Sequence, residues 1–471
     1  MDKSAPDFSL KHKILQMFHD YKEVIMKHDY PELSQKRTEA ILEFEKAGFP
    51  SNRLESWKNT DLQKMLAEDY SLYFNPPAVQ THELDRVFQC NIPHLNTEML
   101  SLLNGWYFDH GSHLVKTADG VIYGSLREAM VKFPGIVEAH LARLAPMDKD
   151  GFHALNTAMA MDGLFLYVPP FTELKKPVQF VNITRNDRSI FVQYRNLVIL
   201  GEQSRATIVQ CDDSVDHQTG LINSLTEVYI GKHAGLHHYK LQNKNNNSAL
   251  INNIYFKQEE NSSLTSVAMV LNGGIIRNYN HVILNGRNSE GHLYGLYLMD
   301  KHQHTDNQLF VDHAAPDCNS NQLYKGILDD SASAAFHGQI LVRKDSQRTA
   351  AYQSNKNILL NDKALVDTKP FLEIYADDVK CSHGATVGQL DNEAMFYLRS
   401  RGISEDNARM LLMYAFSAEI IDHINIEPLR IRIDDMVKKR LRGELSICDQ
   451  CVLHCSTAEK PVEFEIDITK I

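Results

Sequence analysis

The stretch LVILGEQSRATIVQCDD, Leu197–Asp213, decides the fold. It holds two short β-rich runs joined by a small polar turn, with no space between them for a crossover helix. Runs of the same kind recur downstream: LTEVYIGKHAGLHHYKLQ (Leu225–Gln242), LTSVAMVLNGG (Leu264–Gly274), GHLYGLYLMD (Gly291–Asp300) and QLYKGILDDSASAAFHGQILV (Gln322–Val342). Their turns fall near Gly201, Gly231, Asn261, Gly286 and Pro316, at intervals of about 25–31 residues, and such self-similarity marks a stacked architecture. Each unit carries two or three strands and no amphipathic helix, which argues against a doubly wound α/β sheet. The pattern predicts a mainly β fold, a β-helix or related β-solenoid, with Val, Ile, Leu and Tyr pointing inward and polar rows outward. A β-sandwich is the alternative that the loose period leaves open.

Both ends of the chain read differently. ILQMFHDYKEVIM (Ile14–Met26) has helical apolar spacing, and ELSQKRTEAILEFEKAG (Glu32–Gly48) ends on a glycine suited to a C-cap. After Gln389, Asp391 is placed to cap EAMFYLRSRG, and Ser404 to cap EDNARMLLMYAFSAEIID. From Met410 to Ile421 that helix is apolar on nearly every side, so it should be covered from two directions. A third helix, PLRIRIDDMVKKRLRGEL, is amphipathic and basic toward its end. The expected division is a helical and mixed region at 1–150, a β-helix core at 151–388, a helical domain at 389–445 and a cysteine-containing tail at 446–471.

Composition narrows the class. The 471 residues are 43% hydrophobic and 23% charged, ordinary for a water-soluble globular chain long enough for more than one core. A net charge of −11 disfavours nucleic acid or an anionic membrane as the main partner. The amino-terminal text mixes charges into its apolar pattern, and no run of about 18 apolar residues appears, so neither a signal peptide nor a membrane span is expected. Seven scattered cysteines do not make a disulfide framework. The expectation is a reduced, cytoplasmic protein.

Three segments carry metal-ligating chemistry. In DDVKCSHGATVG (Asp377–Gly388), Cys381 and His383 are two residues apart and would share one face of a strand. Thiolate and imidazole suit iron or zinc, and Gly384 lets another backbone or a cluster approach. A closed site needs about four ligands, and this one offers two. A buried thiol beside a hydrogen-bonded histidine, closing the last solenoid turn, explains the pair equally well. HQHTDNQLFVDHAAPDC (His302–Cys318) places His302 and His304 as a cupin would. Gly295 is one position early for that motif, and Gln308 and Leu309 stand where its Glu belongs. Side chains of His302, His304, Asp306, Asp312, His313, Asp317 and Cys318 stacked in solenoid ladders are the simpler reading. ICDQCVLHC supplies Cys448, Cys451, His454 and Cys455, a low-weight candidate for zinc or a cluster. No GxxxxGK[ST], GxSxG, HExxH or strand-to-helix GxGxxG appears, so no catalytic centre of those kinds is expected.

FLEIYADDVKCSHGATVGQLDNEAMFYLRSRGIS, Phe371–Ser404, resembles the signature of the SufB and SufD family of the Suf iron–sulfur cluster assembly system. ESWKNTDL (Glu55–Leu62) and AYQSNKNILL (Ala351–Leu360) agree, and the resemblance extends from about Glu55 to His423. Gly384 after the histidine points to the SufD branch, since SufB sequences tend to carry glutamate there. The resemblance implies a right-handed parallel β-helix flanked by helical regions, a non-catalytic scaffold subunit rather than an enzyme. It implies pairing with a SufB-like paralogue through the end of the core; separately, the exposed strand ends of a solenoid would let the isolated chain form a homodimer. His383, with Cys381 less securely, would lie at that interface beside a cysteine of the partner, so iron or a transient iron–sulfur cluster would be shared and not held by the isolated chain. A SufC-like ABC ATPase would dock on the C-terminal helices. There the apolar helix with Met410, Met413, Tyr414 and Phe416 would pack on the solenoid end and help form the docking surface. The rival readings are a SufB-type principal scaffold, a β-solenoid carbohydrate lyase or esterase, and a cupin-like metal enzyme.

Overall fold

The computed structural model describes residues 6–76, 95–108 and 112–443. The chain opens with helices Pro6–Ile25 and Pro31–Ala47, the second ending at Gly48 with φ 65°. Short strands then prepare the first end of the core: β1 (Glu98–Leu103), β2 (Trp106–Phe108), β3 (Leu114–Lys116), β4 (Ile122–Ser125) and, after the helix Gly151–Met159, β5 (Leu164–Val168). The repeated part runs through β6 (Val178–Thr184), β7 (Ile190–Leu200), β8 (Arg205–Ser214), β9 (Gly220–Ile230) and β10 (Gly235–Asn243). It continues with β11 (Ala249–Gln258), β12 (Ser263–Asn272), β13 (Ile275–Leu284), β14 (Glu290–Met299) and β15 (His304–His313). It finishes with β16 (Asn319–Leu328), β17 (Ser333–Val342), β18 (Thr349–Leu359), β19 (Leu365–Ile374) and β20 (Val379–Gly388).

Successive strands alternate between two ten-stranded sheets, one ordered β2-β1-β6-β8-β10-β12-β14-β16-β18-β20 and the other β19-β17-β15-β13-β11-β9-β7-β5-β4-β3. This is a parallel β-solenoid of about eight turns, and antiparallel pairing is confined to its first end. Each turn contributes one strand to each sheet. Ala249 pairs with Ile275 and Ser333 with Leu365, so the repeat varies from turn to turn, by slightly different lengths from those the turn text suggested. One corner is built on left-handed residues: Gln203, His233, Asn261, Asn288, Asp317 and Arg348 all have φ between 51° and 63°. Each donates its backbone N–H to a carbonyl one turn further on, as Gln203 does to Lys232 and Asn261 to Arg287. The turn text near Gly201, Gly231 and Asn261 therefore marks a hydrogen-bonded column.

The interior differs from the expected apolar filling. Leu164, Val192, Ile222, Leu250 and Ile276 do line it. Beside them runs a polar ladder in which Ser224 bonds Asn252, Asn252 bonds Asn278, and Asn278 bonds Asn307. The expected polar outer rows differ as well. Val209, Tyr239, Leu241, Met269 and Leu296 face outward from the first sheet and are buried under helices Glu405–Ile421 and Glu427–Leu441. On the other sheet, Phe191, Leu221 and Ile251 are buried under Phe44, Trp57, Phe152 and Leu155. Strands covered on both faces lose the two-residue alternation that a solvated sheet displays.

The amino-terminal segment also clasps the second sheet. The Arg277 guanidinium lies 3.9 Å from the Trp57 ring centroid and donates to the Ser56 carbonyl, while Thr60 donates to Asp306 at 2.7 Å. The Lys369 ammonium on β19 meets Glu55 at 2.6 Å. ESWKNTDL is thus a strap across the solenoid. No helix among the described residues is long and apolar enough to cross a membrane.

Candidate interface and cluster half-site

β20 is an edge strand, bonded to β18 on one side only. β19 is the matching edge of the second sheet, so the last turn leaves two strands unpaired. Val379 and Cys381 point toward the solenoid interior, where they pack beside Ile340, Val342 and Ala351. His383, two residues further, shares that side and is exposed. The structure therefore puts Cys381 and His383 on one face of the terminal strand. Burial raises the Cys381 thiol above its ordinary value, opposed by the backbone N–H of Ala351, which keeps the sulfur protonated until something positive approaches. A Cβ at Gly384 would meet no atom of this chain, so nothing within the fold requires glycine there.

Around this edge several large apolar side chains stand exposed among charged and polar ones such as Asp367, Asp377 and Lys380. Leu365, Tyr375, Val387 and Tyr352 are all exposed, and Tyr375 shows 63% of its surface. The helix Asn392–Ser400 follows β20 directly, capped by Asp391 as expected, and none of its residues is buried. It presents Phe396 at 75% exposure and Tyr397, over which Arg401 stacks at 3.5 Å. Clustered exposed aromatics around unpaired strand edges are the physical signature of a protein contact surface.

The four residues expected at an ATPase-docking surface are occupied internally. Met410 and Met413 are buried. The Tyr414 hydroxyl donates to Asp434 of the next helix. The Lys325 ammonium covers the Phe416 ring at 4.3 Å, donates to the Phe416 carbonyl at 2.9 Å and pairs with Glu419. The helix packs on the broad outer face of β14 and β16, not on the solenoid end. Phe396, Tyr397 and Ile431 are the large apolar side chains these helices leave exposed. The run Met395–Leu398 held the signal, since four successive apolar residues cannot share one buried stripe.

The second candidate segment is dispersed. His302 is exposed, while His304 bonds Ser333 and Thr60. Asp306 pairs with Arg277, Asp312 with Arg343, and Asp317 with both Arg287 and Arg348. His313 bonds Ser320, and the Cys318 thiol donates to the Gly286 carbonyl. Among the described residues no three His, Cys, Asp or Glu side chains converge as a metal site, and no disulfide joins Cys211, Cys318 or Cys381. Cys448, Cys451, His454 and Cys455 lie outside the described residues.

The fold and its candidate site are therefore an open-ended β-solenoid with helical flanks and two soft donors, Cys381 and His383, on its terminal strand. Sequence comparison gives the family. Residues 182–416 match the SufBD core domain of the SUF system for FeS cluster assembly, and residues 8–180 match the SufBD protein N-terminal region. A SufBD-family iron–sulfur cluster assembly protein of Synechocystis is 30% identical over 83% of this chain and 87% of its own length. The iron–sulfur cluster assembly protein SufD of Escherichia coli is 28% identical over 84% and 90% respectively. The SufB of Bacillus subtilis is 25% identical over 70% of each chain. The chain belongs to the SufBD family of iron–sulfur cluster assembly proteins.

Proposed function

We propose that this chain is the SufD-type subunit of a three-component iron–sulfur assembly scaffold in the cytoplasm. Its open solenoid end pairs with the corresponding end of a SufB-like paralogue. Cys381 and His383 supply one half of a nascent cluster site, and the paralogue supplies the remaining ligands. The observation that carries this reading is the position of two soft donors on an unpaired edge ringed by exposed apolar residues. Iron and sulfide are cargo here: the imidazole offers a neutral nitrogen donor, and the thiol becomes a ligand by releasing its proton when iron arrives. A SufC-like ABC ATPase docks on the C-terminal helices, with Phe396 and Tyr397 as contacts, and its ATP hydrolysis shifts the paired ends to open the half-sites. The chain itself carries no complete catalytic centre in this reading.

The test is affinity purification of the tagged chain from its own cells without oxygen. Recovery of a paralogous β-helix subunit and an ABC ATPase, with His383→Ala sparing recovery but abolishing cluster formation, is the expected result. A lone chain or a self-paired dimer carrying its own metal overturns the proposal.

A further inference from the structure

We infer that Gln353 is a positioning residue for His383; this rests on the reading of His383 as a donor at the interface. Gln353 stands on β18 in direct register with His383 on β20, so the two side chains stack on one face of the same sheet, one strand apart. Gln353 is buried, whereas His383 is exposed on the edge. The Gln353 amide is fixed from below. Its Nε2 donates to Oε1 of Gln322, the residue stacked one turn earlier, at 2.6 Å. That bond uses one of its two N–H groups, and Gln353 Oε1 is buried with no hydrogen-bond partner. A buried acceptor without a donor is costly, and a donor brought within reach would relieve that cost.

Gly338 shows that the amide's place is built. On the facing sheet, a Cβ at this position would come 2.3 Å from Gln353 Nε2 and 2.6 Å from its Oε1. The glycine thus leaves a slot that the Gln353 amide fills, and any other residue there would push the amide out. The His383 ring is the next side chain in the stack; in the structure it makes no hydrogen bond to Gln353 Oε1, and a turn of the ring that brings one N–H onto that oxygen would complete the stack. One nitrogen then carries the proton toward the interior, and the other keeps its lone pair facing the open edge, as a metal-binding imidazole must. With that bond made, the ladder Gln322–Gln353–His383 would set both tautomer and ring direction before any partner or iron arrives.

The experiment is nitrogen NMR of the full-length chain labelled with [15N]histidine, using His383→Ala to assign the ring signals. In the unsubstituted chain the His383 tautomer ratio departs from that of free histidine by about fivefold, as one net hydrogen bond would give. Gln353→Met, which keeps the length and loses the acceptor, moves the tautomer ratio severalfold, to that of free histidine. Gln353→Glu, which can only accept, keeps the original tautomer. Far-UV circular dichroism confirms that both variants fold. The free-histidine ratio in the unsubstituted chain, an unchanged spectrum in Gln353→Met, or the opposite tautomer in Gln353→Glu overturns the inference. The readout needs neither partner nor iron, so its failure is separate from failure of the scaffold reading, which the purification tests.

Discussion

Lys240 and Asp212 meet inside the solenoid 2.9 Å apart, both sealed from water. Asn182 and the Tyr194 hydroxyl donate to the same carboxylate, and the Lys240 ammonium also donates to Asn252. Burial alone would raise the Asp212 carboxyl, but Lys240 and Lys244 beside it hold it below the ordinary range. Lys240→Met leaves that carboxylate buried and under-compensated, and should cost about 3–5 kcal/mol in urea unfolding. Adding Asp212→Asn should recover most of the loss; a double variant no better than the single one would mean the pair is not the source. Histidines inside the fold set a second residue-scale behaviour. Burial lowers His313 from 6.5 to about 4, and burial likewise takes His238 and His281 to about 3. A folded value below the unfolded one means the unfolded chain binds more protons, so this stability is fully present above pH 6.5 and is lost as pH falls toward 4. His313→Gln should flatten the decline by about 1.4 kcal/mol per pH unit between those limits. Urea midpoints measured from pH 7 to pH 4.5 check it, and an unchanged slope would place the titration elsewhere.

At the scale of elements, the C-terminal helices depend on one buried side chain. Arg440 donates to the carbonyls of Leu271 and Leu298, to Gln303, and to Asp300 at 2.7 Å. It ties the end of the helix Glu427–Leu441 to two successive solenoid turns, whereas Tyr414 and Asp434 tie the two helices to each other. Arg440→Met should remove about 2–4 kcal/mol of local stability, because it strips several buried acceptors at once. Hydrogen exchange should speed up across 405–441 and stay slow in β8 to β16; uniform acceleration would make the helices part of one cooperative unit. These helices also show what the sequence could and could not convey. Caps at Asp391 and Ser404 and the helix end at Gly48 were legible, because capping is local hydrogen-bond chemistry within a few residues. The turns were legible for the same reason. The direction of the strands' side chains was not, since both sheet faces are covered and Asn252, Asn278 and Lys240 point inward among leucines. Nor was the strap, whose Thr60–Asp306 and Glu55–Lys369 contacts join residues hundreds of positions apart. Of the candidate site, Cys381 and His383 stood out by spacing alone. Gln353 did not, because its relation to His383 exists only through strand register.

The molecule as a whole is asymmetric. Its first end is closed by antiparallel β1–β2 and β3–β4–β5, which leave short strands at the edges. Its second end stops at β19 and β20, each ten residues long and unpaired on its outer side. Long bare edges with exposed apolar side chains invite pairing with another chain, and soluble proteins usually blunt them. Here the edges remain, together with Leu365, Tyr375 and Val387. The end is therefore suited to be covered by a second solenoid, of a paralogue or of this chain itself. Tyr375→Lys with Leu365→Lys should break that association without harming the fold, because both side chains are more than 60% exposed and bury little within the chain. Stability should shift by no more than about 0.5 kcal/mol per substitution. Light scattering would report a monomer where the unsubstituted chain self-associates, and purification would no longer recover the β-helix partner. The ATPase should still bind, since its proposed contacts, Phe396 and Tyr397, are left untouched. Loss of both partners together would instead mean that ATPase docking requires the paired ends, and an intact paralogue complex would place the interface away from the solenoid end.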